Sequence, residues 1–84
     1  MAEVEIGKIT DFFARPVVAA LELTAELKVG DTIRIKGHST DMELVVSSMQ
    51  IHNQNVTVAK SGDAVGIKVN DKVRHGDKVF KVVE

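Results

Sequence analysis

Three Gly-Asp pairs cut this chain into short lengths: Gly30-Asp31, Gly62-Asp63 and Gly76-Asp77. Each precedes a β-branched apolar run, namely Thr32-Ile33-Arg34-Ile35, Ala64-Val65-Gly66-Ile67 and Lys78-Val79-Phe80. Glycine accepts positive φ without steric cost, and an aspartate side chain can bond the backbone of its own turn. The pairs therefore read as tight corners feeding strands, not as catalytic loops. They point to a compact all-β domain.

The intervening residues agree. Val4 and Ile6 alternate with Glu3 and Glu5, and strand character runs to about Phe13. Pro16 suits a turn or an edge, and Arg15 before it should be extended. From Pro16 to Glu26 helix competes, because Ala-Ala-Leu-Glu-Leu has high helical propensity. The period-two run Val17, Ala19, Leu21, Leu23 favours a strand paired back on the first as a hairpin. Thr32 to Lys36 places Ile33 and Ile35 inward. Met42 to His52 reads as one long strand whose two apolar faces imply a bend or bulge. Asn53-Gln54-Asn55 turns the chain, and Gly66 marks a kink or a close backbone approach. Six or seven strands result. Closure into a barrel would remove the exposed edges that so small a β-protein cannot otherwise cover.

With 84 residues and no internal repeat, residues 1–84 make one domain. The apolar fraction of 44% is enough for a globule. Eleven Lys/Arg stand against twelve Asp/Glu, so the basic excess usual in a free-standing nucleic-acid binder is missing. Residues 1–31 hold three bases and six acids, and the rest holds eight and six, which is a mild dipole. Absence of cysteine excludes disulfides and thiolate metal sites. No secretory signal and no membrane-length apolar stretch is visible, so a cytoplasmic protein is expected.

No residue set supports catalysis. A Gly-x-x-x-x-Gly-Lys-Ser/Thr phosphate loop is absent, so this chain alone should bind no nucleotide and needs no cofactor. His38, His52 and His75 lack the paired spacing of metal ligands. Ser39 and Ser61 lack a nucleophile elbow. Arg34 and Lys36, with Lys60, Lys68, Lys72, Arg74, Lys78 and Lys81 later in the chain, could join into a phosphate-tracking stripe, or simply form a solvated outer face, and Lys28 is a further candidate for binding. Phe12 and Phe13 are adjacent on a strand, so only one can point inward. The other is expected to pack under a loop, or to stand exposed as a protein-contact anchor.

Four segments in order resemble the second domain of translational GTPases, the elongation-factor-Tu-type barrel. They are Ile6-Gly7-Lys8-Ile9, Leu27 through Ile35, Val46 through His52, and Ala59 through Ile67. Similar barrels also occur as free small proteins and at the C-terminus of collagenase-like peptidases, and the opening segment resembles the small barrel of RNA-modifying particles. The resemblance implies a closed antiparallel Greek-key barrel. It also implies a pocket for the tRNA acceptor end, whose Glu and Arg would fall at Gln50 and Asn53. Both charges are gone here, and Asn cannot replace the guanidinium. The expectation is a non-enzymatic binding module that contacts tRNA, rRNA or a translation-associated protein. The alternative is a protein-interaction or accessory barrel for a separately encoded enzyme, of the peptidase-associated type.

Overall fold

A computed structural model describes residues 2–14 and 17–83. The readings at Arg15 and Pro16 lie outside the described residues. Ten strands and no helix occur among the described residues. They are β1 (Ala2–Ala14), β2 (Val17–Leu23), β3 (Leu27–Lys28), β4 (Thr32–Lys36), β5 (Asp41–Val45), β6 (Met49–Ile51), β7 (Gln54–Val56), β8 (Val58–Ala59), β9 (Ala64–Lys68) and β10 (Lys78–Val83). Eight form one antiparallel sheet in the order β5-β4-β10-β1-β2-β9-β6-β7, and β3 pairs with β8 in a separate ribbon. The expected all-β class holds. The expected closure is not found in the strand pairings, which leave β5 and β7 as the two edges.

The β1–β2 hairpin is central, with Ala14 opposite Val17 and Gly7 opposite Leu23. Strand wins over helix in β2 because β1 and β9 flank it on both sides. There Ala19, Leu21 and Leu23 enter the core while Glu22 faces solvent. Extended, the thirteen residues of β1 would span about 40 Å. The longest dimension of the molecule is only 32 Å. The strand bends at two register shifts, between Glu5 and Gly7 and between Ile9 and Asp11. Ile6, Ile9, Leu21, Ile33, Ile35 and Val79 meet in the core, and each buried aliphatic side chain contributes about 1.5–3 kcal/mol.

The three Gly-Asp corners turn out to share one set of bonds. Gly30, Gly62 and Gly76 have φ of +98°, +93° and +93°. The N–H groups of Asp31, Asp63 and Asp77 donate to the carbonyls of Lys28, Lys60 and Arg74 at 3.1, 3.0 and 3.1 Å. This is the type II pattern, with glycine at the third position. In return, each aspartate Oδ2 accepts the N–H of Lys28, Lys60 or Arg74 at 2.9 Å. Each corner also grips a buried residue elsewhere. Gly30, Gly62 and Gly76 donate to the carbonyls of Val46, Leu23 and Ile9, all at 2.8 Å. The N–H groups of Val46, Leu23 and Ile9 donate back to Asp31, Asp63 and Asp77.

The segment 42–52 is two strands, not one. Leu44 and Val46 point inward, both Ser47 and Ser48 are exposed, and Met49 is buried. This slip of phase is the bend implied by the two apolar faces. The following turn lies one residue earlier than expected. His52 and Asn53 carry φ of +52° and +64°, and Ile51 pairs with Gln54 around them. Two left-handed residues form the I′ geometry that matches strand twist, so Gln54 and Asn55 belong to β7.

Candidate functional site

Ala20, Gly66 and Gln50 stand opposite one another on β2, β9 and β6. The centre of this row has almost no side chain, so the sheet dips there. Phe13 and Val18, opposite one another on the β1–β2 hairpin, form one wall. The His52-Asn53 turn forms the other. The result is a groove of about 500 Å³ on the outer face of the sheet. Gln50 Nε2 donates to Asn55 Oδ1 at 3.1 Å, which steadies the amide at the groove edge.

Three of the sequence-predicted residues, Phe13, Gln50 and Asn53, meet in this groove. Lys68 lies opposite Val18 beside it. Phe12 packs half-buried against the core, whereas Phe13 is 51% exposed. Of the two expectations for the outward phenylalanine, the exposed one holds among the described residues. Gly66 was marked in the sequence as a kink or a close backbone approach, but Ala20 and Ala64 were missed, because small residues on a strand carry no chemical signal until register sets them side by side.

Lys36, Lys78 and Lys8 stand in register across β4, β10 and β1, but Lys68 does not join that row. In the sheet order, β4 and β9 are four strands apart, about 19 Å at usual strand spacing. Arg34 and Lys36 are already engaged: Arg34 Nη1 lies 3.0 Å and Lys36 Nζ 2.7 Å from the Glu3 carboxylate. Arg34 Nε is 3.2 Å from Asp41 Oδ1. The hydrogen bond from Lys36 and then that from Arg34 hold the Glu3 carboxyl below the usual glutamate range. The Glu3 bond and the Asp41 charge raise Arg34. Lys36 also stands over the Phe80 ring at 5.5 Å. Lys28 faces Glu26 at 3.5 Å, and Lys60 is exposed at the second corner, where its backbone N–H binds Asp63. Among the described residues no cluster of His, Cys, Asp or Glu could hold a metal.

No family model matches the chain. It is 46% identical over 83 residues, 98% of its length, to a protease of Methanocaldococcus jannaschii described only as uncharacterised. It is 33% identical over 81 residues to a collagenase of Porphyromonas gingivalis, and 35% identical over 78 residues to a second collagenase of that species. The chain spans about a fifth of the length of these relatives. In structure it resembles the C-terminal domain of a Geobacillus thermoleovorans protein assigned to the U32 peptidases. The TM-score is 0.87 at 14% identity, with 93% of this chain and 91% of that one covered. A selenomethionine variant of the same domain gives 0.85.

These matches overturn the likeness to the elongation-factor domain, and with it the translation-factor and RNA-binding readings. Corners that any small antiparallel fold can use carried that likeness. The family's charged pocket residues were missing at Gln50 and Asn53, and Arg34 and Lys36 are bound to carboxylates. The comparisons favour the alternative expectation, a domain of the peptidase-associated type.

Proposed function

We propose that this chain is a non-catalytic accessory domain of a collagenase-like peptidase, acting beside a reaction centre that other parts of such a protein supply. The observation that carries this reading is a match across 98% of the chain to only 20% of a longer protease. The remaining four-fifths of that relative has room for the chemistry. Two facts about the chain itself support the reading: the Phe13 groove carries no carboxylate, lysine or arginine, and no metal-ligand cluster exists among the described residues. The test is whether the purified chain hydrolyses polypeptide by itself. The expected answer is that it does not, and chain-dependent cleavage would overturn the proposal.

A closed barrel is the finer form of the fold that we infer. Its support is a line of bonds across the gap between the sheet edges. Gly30 N–H donates to Val46 at the end of β5, and Val29 N–H donates to Thr57 between β7 and β8, at 2.8 and 3.0 Å. The β3–β8 ribbon thus serves as the seam. Hydrogen exchange checks it: the Gly30 and Val46 amides should exchange only on global unfolding. Exchange as fast as in an unprotected loop means the sheet is open there.

A further inference from the structure

From the geometry of the Phe13 groove, we propose that it binds an extended, uncharged stretch of polypeptide, with one bulky apolar side chain seated over Gly66 against the Phe13 ring. This rests on the accessory-domain reading and names what the domain holds: the polypeptide on which the peptidase acts.

Three observations converge. The first is shape. The floor is Gly66 between Ala20 and Gln50, which lets a ligand backbone come close to the sheet. The second is the end of a strand ladder. β6 keeps register with β9 only at Met49 and Gln50, opposite Ile67 and Gly66. Beyond Gln50 the hairpin leans away, so His52 and Asn53 stand across the groove from Ala64 and Val65 without pairing to them. Main-chain groups along that gap, with the Gln50 and Asn53 amides, suit the regularly spaced N–H and C=O groups of an extended chain. The third is charge. The lining holds no carboxylate, lysine or arginine, its polar side chains are those of Gln50, His52 and Asn53, and the exposed Phe13 ring offers an apolar contact.

Position argues for substrate over the peptidase body as the occupant. In the Geobacillus neighbour this unit is a C-terminal domain, so the rest of that protein joins at its start. Here Ala2 pairs with Val83 at one end of the sheet, and Phe13 lies at the opposite end of β1. The groove thus lies at the end of β1 far from where a catalytic body would be joined.

Gly66 supplies a variant that blocks the groove without unfolding the sheet. A Cβ there meets only Val18 Cγ1, at 3.4 Å, an ordinary contact. Gly66→Val also raises strand propensity. The experiment titrates the isotope-labelled chain with a fluorescein-labelled peptide fragment, uncharged along its length, proline-free and carrying one phenylalanine among Ser, Thr and Gln, read by amide shifts and by anisotropy. The expected result is a Kd below about 1 mM, with shifts centred on Phe13, Gln50, Asn53 and Gly66. Gly66→Val and Phe13→Ala should each weaken binding by about ten-fold while keeping the native spectrum. No binding at that concentration, shifts on the β4–β5 face, or affinity indifferent to both variants would overturn the groove assignment and leave the accessory reading standing. Displacement of the fragment by a peptidase body seated in the groove would also overturn it, in favour of a body-docking face. Cleavage of the fragment by the chain would instead sink the accessory reading.

Discussion

Gly7→Ala is expected to cost about 3 kcal/mol of stability, the effect of overpacking a well-filled interior at a point that cannot relax. A Cβ at residue 7 would run into the carbonyl oxygen of Glu22, with Glu22 C and Leu23 Cα both at 3.3 Å. All three atoms are backbone, and they belong to the strand with which Gly7 is in register. No side-chain rotation relieves the clash, so the hairpin ladder itself must shift. Gly66→Ala is the control, because its added methyl makes only the ordinary Val18 contact; it should change stability by no more than about 0.5 kcal/mol. Urea melts of the two variants decide the matter. Equal midpoints would mean that β1 and β2 do not approach as closely as described.

The second large effect concerns the Gly-Asp corners, which are alike in bonding and unlike in burial. Asp77 is 5% exposed, whereas Asp31 and Asp63 are only half-buried. Removing a buried charged acceptor strands its donor, here the Arg74 N–H, at a cost of about 2–3 kcal/mol. At the more open corners water replaces the carboxylate, and Asp63→Ala should cost about 1 kcal/mol. Gly37 sharpens the contrast. A Cβ on it would fall within bonding range of the Asp77 carboxylate, so Gly37→Ala alone is strongly destabilising. In the Asp77→Ala background that carboxylate is gone and the methyl fits. The double variant should therefore be more stable than the sum of the single losses requires, by about 1–3 kcal/mol of coupling. Additive losses in denaturant melts would contradict the packing of Gly37 on Asp77.

How far the sequence was readable depended on how local the governing physics was. The corners could be seen because glycine and aspartate act within four residues, and all three hold the expected turns. β2 could be seen through its period-two burial despite its helical composition. The two apolar faces of residues 42–52 implied a bend but not its place at Ser47-Ser48, which is set where Val46 is clasped by Gly30 and Asp31 of the first corner. The turn at His52-Asn53 was displaced because composition favoured the Asn-Gln-Asn run, while pairing of Ile51 with Gln54 fixed the real position. At the groove, Phe13 was flagged as a contact anchor, and Gln50 and Asn53 by the resemblance to the elongation-factor barrel. What brought them together was cross-strand register, which a linear pattern does not encode. The partners of the basic residues were hidden for the same reason: Glu3 is thirty-one residues from Arg34 in sequence and 3.0 Å from it in space.

The central claim is that this chain holds polypeptide and leaves its chemistry to a partner region. The most direct test incubates the purified chain with fluorogenic casein and with denatured gelatin over many hours, with mass spectrometry of the products. The account predicts both polypeptides intact, with no fragments above those of a protein-free control. New termini that accumulate in proportion to the amount of chain, and persist when the preparation is purified further, would contradict it.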